Sequence, residues 1–240
     1  GWQYQPKVKS VQAILNKALS QILRESIETT GAGRTDTGVH AKYFVAHFDS
    51  KNLEIQEKEK VIFSMNGMLP YDIVILNIYK VKNDNHARFD AITRTYEYII
   101  SKKKNPFLLE QSYLLFGNLN VSAMNLACDL LLHYNDFTSF SKLHSDVKTN
   151  ICNISRVSWI ENNDLLIFTI TADRFLRNMV RAIVGTMIEI GFNKISLNYF
   201  AEIIESKDRS KAGASAPAYG LFLTDIQYPY DFKSANYPGE

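Results

Sequence analysis

Amphipathic helices and β-prone segments alternate along both halves of this chain, and no other sequence feature restricts the fold as strongly. Ser10 is the predicted N-cap of a first helix, because apolar residues follow it at helical spacing. Helices are predicted at residues 11–23, in the fifties and early sixties, and at 122–132, 174–190 and 197–205. Strands are predicted at residues 27–30, 43–48, 73–81, 94–100, 154–160, 165–172 and 221–228. This order predicts an α/β or α+β fold made of two small units, each a sheet with packed helices.

The segment Lys102-Lys103-Lys104-Asn105-Pro106 is the predicted linker, because it is charged, lacks periodicity and ends in proline. We therefore predict an N-terminal unit at residues 1–104 and a C-terminal unit at residues 105–240. With 46% hydrophobic and 22% charged residues among 240, the composition is globular and excludes disorder. Two cysteines predict no disulfide framework, and no apolar run reaches the ~20 residues of a membrane span. We expect a soluble, cytoplasmic protein.

The net charge is only +2, which taken alone argues against a nucleic-acid-binding domain. The distribution of the charge argues the other way. Acidic stretches at residues 54–59 and 202–208 offset a concentration of arginine elsewhere, so a modest total is compatible with a strong local field. Six of the nine arginines lie in the segments that carry the candidate functional residues: Arg34, Arg88, Arg94, Arg174, Arg177 and Arg181.

Residues 31–40, Gly-Ala-Gly-Arg-Thr-Asp-Thr-Gly-Val-His, form a predicted loop because three glycines in eight residues disfavour a regular element. A phosphate-binding P-loop is excluded, since Val39 and His40 stand where that motif needs lysine and a hydroxyl. A dinucleotide-binding fingerprint is excluded by the position of the third glycine and by the strand that follows. What remains is Asp36, a carboxylate beside Arg34 at the end of a strand, where functional groups are common. A structural turn in which Asp36 accepts backbone N–H groups is the alternative.

Two further segments carry candidate residues. On the predicted helix at 174–190, Arg174, Arg177, Asn178 and Arg181 share a strip beside the apolar stripe. The strip contains three arginines and no lysine, and no acidic residue follows four positions later to pair with them. This choice favours binding of carboxylate or phosphate, whereas an ordinary solvated helix face is the alternative. On the strand at 94–100, Tyr96 and Tyr98 share one face, and they are either packing residues of the sheet or aromatics that stack on bases. The five histidines have no metal-ligand spacing, so no metal site is predicted.

Taken together, these segments resemble the tRNA pseudouridine synthase A family. The Gly-Arg-Thr-Asp-x-Gly-Val-His loop is a specific motif of that family, and the Met-Val-Arg-x-Ile-Val-Gly helix follows at the family's distance. The matching segments are Gly1-Trp2-Gln3-Tyr4-Gln5, Ser10-Val11-Gln12, residues 31–41, Leu69-Pro70, His86-Ala87-Arg88-Phe89, residues 94–98, 136–140 and 175–185, Ala216-Pro217 and Gly220-Leu221.

The resemblance implies that Asp36 is the catalytic aspartate, that Tyr96 packs on the target base, and that Arg181 pairs with the aspartate. It implies two ferredoxin-like, RRM-like units with mainly antiparallel sheets meeting at a central cleft, in a homodimer that needs no cofactor or metal. The substrate is expected to be the anticodon arm of tRNA, with uridines isomerised at positions 38, 39 and 40. The remaining expected roles are RNA binding by Arg34, Arg88, Arg94, Arg174 and Arg177, and loop shaping by Gly33, Gly38 and His40.

Family members carry a strand with Tyr-Asp-Gly ahead of the Gly-Trp-Gln motif, and the resemblance therefore implies that this strand is missing here, exposing a sheet edge. A non-catalytic tRNA-binding or RNA-chaperone protein with the same basic cleft is the alternative function. Asp36 favours the enzyme, because a carboxylate that faces phosphates would only weaken binding. A plain α/β domain with structural charge pairs explains these motifs only as a coincidence.

Overall fold

The computed structural model describes residues 1–51, 58–142 and 149–233. Their contacts divide the chain into two compact units. Unit 1 comprises Gly1–Thr37, Phe44–Ile92 and Tyr228–Glu240, and unit 2 comprises Gly38–Tyr43 and Thr93–Gln227. Both units are thus discontinuous in sequence, and this division differs from the predicted boundary after residue 104.

The helices and strands of the described residues follow the predicted alternation. The α-helices are α1 (Val11–Leu23), α2 (Lys58–Met68), α3 (Val121–Leu131), α4 (Met179–Gly191) and α5 (Leu197–Ser206). The strands are β1 (Thr30–Gly31), β2 (His40–Ala41), β3 (Ala46–His47), β4 (Thr93–Ser101), β5 (Tyr113–Leu114), β6 (Ile154–Asn162), β7 (Leu165–Ala172) and β8 (Leu221–Gln227). The predicted polar helix of the fifties and early sixties is α2, and residues 52–57 of that prediction lie outside the described residues.

Unit 2 is built on a sheet whose described strands run in the order β2-β8-β4-β7-β6, with β5 beside β4. The long ladders that β4 forms with β7 and β8, and β6 with β7, are antiparallel. The two-residue pairings of β2 with β8 and of β4 with β5 are parallel. This mixed α/β architecture with mainly antiparallel pairing confirms the predicted fold class.

The core of unit 2 lies where the period-2 pattern of the strands meets the apolar stripes of the helices. Alternate residues of β7 are buried, among them Phe168 and Ile170, which are fully inaccessible. Helix α3 packs against β6 and α4. On α4, apolar residues occupy nearly every position, so this helix is buried on most of its circumference.

The predicted linker at residues 102–106 lies inside unit 2 because β4, which precedes it, is paired with β7 and β8 along its length. The Lys102 N–H donates to the Asp164 carbonyl at 2.8 Å, and the Lys103 ammonium lies 3.0 Å from the Asp164 carboxylate. The Lys102 ammonium also contacts Glu161. These lysines therefore bind the turn between β6 and β7 and do not connect the two units.

Unit 1 has a smaller core beneath α1 and α2, with Trp2 and Met65 among its buried residues. A strand was predicted at residues 27–30. The N–H groups of residues 27 and 29 instead bond to side chains of α1. The Ile27 N–H donates to Ser20 Oγ at 2.9 Å, and the Thr29 N–H donates to Asn16 Oδ1 at 2.9 Å. Among the described residues of unit 1, the strand ladder is that of β1 with β3, and β3 is shorter than the predicted strand at 43–48.

The predicted strand at residues 73–81 is wrong: within the described part of the chain it has no ladder partner. Ile73 and Ile75 of this segment pack on the core, whereas Val74 between them is exposed. The Asn66 amide, however, binds the main chain of Ile75, accepting from its N–H at 2.7 Å and donating to its carbonyl at 3.0 Å. An amide side chain thus satisfies groups that a neighbouring strand would otherwise satisfy.

The remaining predicted elements agree with the structure to within one or two residues, apart from the start of α4, which is described with the site. The hairpin turn predicted between β6 and β7 is formed at Asn163, which adopts φ 53°. Among the described residues, no helix is both long enough and apolar enough to span a membrane.

Candidate functional site

The part of the loop that carries Asp36, up to Thr37, belongs to unit 1 and contacts Trp2. The Trp2 N–H donates to the Thr35 carbonyl at 3.4 Å, and the indole is only 6% exposed. The indole lies flat against Gly31, where an added Cβ would come within 2.5 Å of the ring. Gly31 is therefore needed for close packing on Trp2, and this contact fixes the start of the loop. Asp36 itself is half-buried, and Arg34 is exposed.

Gly33 and Gly38, which flank Asp36 in the loop, differ in whether the structure requires glycine there. Gly38 adopts φ 84°, a left-handed conformation that favours glycine, and its added Cβ would meet Ala218 Cβ at 3.3 Å. At Gly33 an added Cβ would meet nothing within 4 Å, so lack of space does not account for that glycine. His40 lies in β2, where its ring stacks on Phe222 with centroids 4.7 Å apart and Nε2 bonds to the Glu110 carbonyl at 2.8 Å.

The predicted helix at 174–190 is wrong at its start, because α4 begins at Met179. Asn178, which precedes it, has φ 67°, and residues 174–178 are not helical. The Asp173 carboxylate accepts the Arg174 N–H at 2.7 Å, which gives that N–H a partner outside any helix. The sequence pattern predicted that Arg174 and Arg177 share a helical strip with Arg181. This prediction is wrong, because Arg174 and Arg177 lie before α4.

Arg181 is held by residues 213–217, which lie along the first turns of α4. Its Nε donates to the Ala216 carbonyl at 2.7 Å, and its own carbonyl accepts the Ala216 N–H at 2.9 Å. Asn178 Nδ2 donates to Ser215 Oγ at 2.6 Å, and the Gly213 N–H donates to Thr186 Oγ1 at 2.9 Å. The 213–217 segment is thus attached to α4 through Gly213 and Ala216, and to the residue before α4 through Ser215.

Gly185 and Arg209 make this attachment possible. An added Cβ at Gly185 would lie 1.8 Å from the Ala214 carbonyl oxygen, so only glycine lets the segment approach the helix so closely. From the other side, Arg209 donates to the carbonyls of Ala212 and Gly213 at 3.1 Å and to Ser215 Oγ at 3.0 Å. A helix and an arginine therefore clamp the segment between them.

Tyr96 and Tyr98 lie on β4 with different surroundings. The Tyr96 ring is half-buried and meets Phe175 edge-on, with centroids 5.1 Å apart and an interplanar angle of 87°. Tyr98 is fully buried, and its hydroxyl donates to the Pro217 carbonyl at 2.8 Å. Burial raises the pKa of Tyr98, the positive charge of Arg181 acts in the opposite sense, and the phenol remains a protonated donor at neutral pH. Tyr98 thus supports the 213–217 segment, whereas Tyr96 is only half-buried.

The predicted site residues are distributed over both units. Arg94 lies two residues before Tyr96 on β4, in unit 2, and its Nη1 donates to the Asp173 carbonyl at 2.9 Å. Arg174 is the residue that follows Asp173 in the sequence. Arg177 is exposed, and its carbonyl accepts the Lys142 N–H at 3.0 Å. Assigned to unit 1 are Asp36, Arg34, Gly33 and Arg88, and to unit 2 Gly38, His40, Arg94, Tyr96, Arg174, Arg177 and Arg181.

Comparison with known proteins settles the family. A sequence model of the family described as tRNA pseudouridine synthase matches residues 127–229. The tRNA pseudouridine synthase A of Bacteroides thetaiotaomicron is 51% identical over 237 residues, which cover 98% of this chain and 87% of that protein. The chain belongs to the tRNA pseudouridine synthase A family.

Other relatives with the same name agree with this assignment. The tRNA pseudouridine synthase A of Azobacteroides pseudotrichonymphae is 52% identical over 229 residues, 95% of this chain and 91% of that protein. The one from Clostridium acetobutylicum is 41% identical over 230 residues, 95% of this chain and 93% of that protein. The family predicted from the sequence motifs is thereby confirmed.

Sequence reasoning missed Arg209, which acts through the 213–217 segment and carries no motif of its own. It named Asn178 as part of a helical strip, but not for its bond to Ser215 in the same segment. A signal did exist at Gly185, because glycine in a helix interior costs roughly 1 kcal/mol relative to alanine and marks a close backbone approach. Within the described ranges, no group of three or more His, Cys, Asp or Glu side chains is arranged to hold a metal ion.

Proposed function

We propose that this chain isomerises uridine to pseudouridine at positions 38, 39 and 40 in the anticodon arm of tRNA. Membership of the tRNA pseudouridine synthase A family makes it an enzyme of pseudouridine synthesis in tRNA. The three positions and the residue roles are the further content of the proposal. In it, Asp36 is the nucleophile, Arg181 pairs with and orients Asp36, and Tyr96 packs on the target base.

The observation that carries the proposed roles is the attachment of Arg181 to Ala216. Because Nε donates to a main-chain carbonyl that is itself fixed to α4, the plane of the guanidinium is set by the fold. A guanidinium whose plane is fixed directs its Nη groups along a defined line, which suits a bidentate contact with a carboxylate. This supports Arg181 as the residue that orients the catalytic carboxylate. Lysine, a point charge on a flexible stem, does not provide this geometry.

The proposed reaction rearranges bonds within one nucleotide and needs no second reactant. The Asp36 carboxylate adds either to C6 of the uracil or to C1′ of the ribose, and the N1–C1′ bond breaks. The base turns, a C5–C1′ bond forms, and the bond to Asp36 is released. The proton on C5 is removed and N1 ends with a proton, so uridine and pseudouridine have the same atoms. An enzyme of this kind must hold the detached base while it turns.

Tyr96 suits the task of holding the base. Its ring is positioned by the edge-on contact with Phe175 and remains half-buried on β4. Stacking of an aromatic side chain on a base contributes about 1–3 kcal/mol in proteins that bind single strands. We assign the Tyr96 hydroxyl the removal of the C5 proton. Access to a paired uridine requires flipping, which costs a few kcal/mol.

The rest of the proposal concerns partners and location. The phosphate backbone of the tRNA is bound by arginines, because their forked donors match phosphate oxygens. The active form is a homodimer in the cytoplasm, and no cofactor or metal takes part. The free cysteines Cys128 and Cys152 agree with a reducing compartment. The arginines assigned to the backbone are Arg34, Arg88, Arg94, Arg174 and Arg177.

The test is a mass-spectrometric map of pseudouridine in a tRNA transcript after incubation with the protein. Pseudouridine at 38, 39 or 40 is expected with the wild-type chain and not with Asp36→Asn. Pseudouridine only at other positions would refute the anticodon-arm assignment. Binding of the transcript without any pseudouridine would favour the non-catalytic tRNA-binding alternative.

A further inference from the structure

The turn at residues 86–90 in unit 1 is held by an unusual number of hydrogen bonds for five residues. His86 Nδ1 accepts the N–H groups of Arg88 at 3.0 Å and of Phe89 at 3.2 Å. The Asp90 carboxylate accepts the His86 N–H at 2.6 Å, and the Asp90 N–H returns to the His86 carbonyl at 3.1 Å. The backbone of the turn therefore has a single defined conformation.

Residues from distant parts of unit 1 fix the same turn from outside. The Ala87 N–H donates to His47 Nδ1 at 3.1 Å, and its carbonyl accepts the Tyr228 hydroxyl at 2.6 Å. The Tyr230 hydroxyl donates to the Asp90 carboxylate at 2.8 Å. Ala87 is buried, so the turn lies close against the rest of the unit. Such a framework is more than a surface turn needs for its own stability.

This framework presents an exposed aromatic ring next to a cation. Phe89 is 75% exposed, although it follows buried and hydrogen-bonded residues. One face of its ring lies on the His86 imidazole, with centroids 4.2 Å apart and an angle of 32° between the planes. The Arg88 guanidinium carbon lies over the Phe89 ring, 5.7 Å from its centroid, and Phe89 still remains mostly exposed. The imidazole, fixed by its own hydrogen bonds, supports Phe89 from beneath.

We propose that Phe89 is a stacking platform for an unpaired base of the bound tRNA other than the reacting uridine, and that Arg88 binds the adjacent phosphate. The proposal rests on the proposed function, since it takes tRNA as the ligand. A ring held in place loses little conformational entropy when a base stacks on it, so the affinity gained is large for one side chain. An aromatic face beside a guanidinium matches a nucleotide, which offers a π-face and a phosphate close together.

A protein partner fits this site less well than RNA does. Interface hot spots are fully desolvated, clustered and apolar at their centre. Phe89, in contrast, lies beside a charged guanidinium on a turn built of polar contacts with His86 and Asp90. A nucleic acid is compatible with a charged group beside the ring, because the phosphate next to the stacked base carries a negative charge that the Arg88 guanidinium attracts.

The test measures the affinity of the full chain for an unmodified tRNA transcript in a set of Phe89 variants. Phe89→Ala and Phe89→Leu are expected to weaken binding by about 5- to 100-fold, whereas Phe89→Tyr and Phe89→Trp keep it within about twofold. Leucine separates stacking from mere apolar contact, because it retains apolar bulk without a π-face. Phe63→Ala on α2, where the ring is 82% exposed, is the matched control and should bind as the wild type does.

A second readout observes the stacking directly. Phe89→Trp places an exposed indole on the turn, while Trp2 and Trp159 are almost fully buried. We expect tRNA to quench the fluorescence of this variant and to leave that of the wild-type chain nearly unchanged. Arg88→Ala should lower the slope of log affinity against log salt by about 1, and Phe89→Ala should not.

Several results would overturn the proposal. They are wild-type affinity in Phe89→Ala, equal losses in Phe63→Ala, unquenched fluorescence in Phe89→Trp, and a change of oligomeric state in the Phe89 variants, which would identify a protein interface. Pseudouridine formation by the wild-type chain is measured in parallel. Its absence refutes the proposed function alone, whereas its presence together with full affinity in Phe89→Ala refutes the stacking platform alone.

Discussion

Arg181 and Ala216 are joined by two hydrogen bonds in opposite directions, Arg181 Nε to the Ala216 carbonyl at 2.7 Å and the Ala216 N–H to the Arg181 carbonyl at 2.9 Å. The first bond fixes the side chain and the second fixes the backbone, so the position of Arg181 depends on where the 213–217 segment lies. That position depends in turn on Gly185, one helical turn further along α4. The Arg-x-x-x-Gly spacing of the helix motif is therefore a requirement of packing.

Gly185→Ala is expected to lower the free energy of unfolding by about 1–3 kcal/mol or more, because its Cβ would lie 1.8 Å from the Ala214 carbonyl oxygen. Displacement of the 213–217 segment should also reduce pseudouridine formation by the protein that remains folded. Denaturant unfolding and single-turnover rates measure the two effects. Gly67→Ala on α2 is the matched control, since its Cβ meets nothing within 4 Å and the free energy of unfolding should stay equal or rise. A stable and fully active Gly185→Ala variant would contradict this account.

Arg181→Lys is expected to slow pseudouridine formation by about 100-fold or more, as loss of orientation at a reacting group commonly does. One ammonium cannot keep the bond to the Ala216 carbonyl and also hold a carboxylate through two parallel donors. Single-turnover kinetics at saturating enzyme measure the rate. Arg156→Lys, at an exposed position of β6, is the matched control and should react at the wild-type rate. Near-normal turnover of Arg181→Lys would mean that positive charge alone suffices.

Asp36→Asn should abolish pseudouridine formation and leave tRNA affinity within a few-fold of the wild type. The amide has nearly the same shape as the carboxylate but does not act as a nucleophile. Release of tritium from C5 of labelled uridine measures the reaction, and filter binding measures the affinity. Activity retained by this variant would exclude Asp36 as the nucleophile, and affinity lost in parallel would indicate a structural role in the loop.

Elements governed by local periodicity were predictable from sequence, whereas those governed by distant partners were not. Helices α1, α3 and α5 have one apolar stripe each, and β6 and β7 flank a short polar turn, so their bounds agree with prediction. The start of α4 depends on Asn178 at φ 67°, and in the segment predicted as a strand at 73–81 the main chain of Ile75 bonds to the Asn66 side chain. Such side-chain-to-backbone bonds compete with regular structure and leave no periodic signal.

The same distinction applies to the candidate site. Asp36, Tyr96 and Arg181 could be predicted as site residues because they lie in segments that resemble the family's motifs, and these assignments stay predictions. Arg209 could not be predicted, because its role depends on reaching the carbonyls of Ala212 and Gly213 and the Ser215 hydroxyl in the folded chain. Likewise, the sequence pattern did not show whether Phe89 is a core residue or an exposed loop residue. Its exposure on the turn at 86–90 is visible only in the structure.

Binding of tRNA should weaken steeply with salt, because arginines that contact phosphates release counterions when they bind. Each lost contact should lower the slope of log affinity against log salt by roughly 0.7–0.9. Arg177→Ala tests one such contact, since Arg177 is exposed beside the start of α4. Arg156→Ala serves as the control and should leave the slope unchanged. A flat salt dependence of the wild-type chain would exclude backbone binding by the proposed arginines.

Stability should fall as the pH drops from about 7.5 to about 5.5, in part through His47. Burial lowers the pKa of His47 from its ordinary 6.5, the neighbouring His86 lowers it further, and Asp49 and Asp90 oppose the shift. Between the folded and unfolded pKa values, the unfolded chain binds more protons, so the free energy of unfolding decreases with falling pH there and levels off below the folded value.

His47→Asn isolates this contribution. Asparagine Oδ1 can accept the Ala87 N–H that His47 Nδ1 accepts at 3.1 Å, but it does not titrate in this range. Denaturant unfolding at several pH values should therefore give a smaller loss of stability on acidification for the variant than for the wild-type chain. Parallel curves for the two proteins would assign the loss to another group. A variant already less stable at pH 7.5 would mean that asparagine does not replace the hydrogen bond. The change in the free energy of unfolding with pH does not depend on that initial difference, so comparing this change between the two proteins would still decide the role of His47.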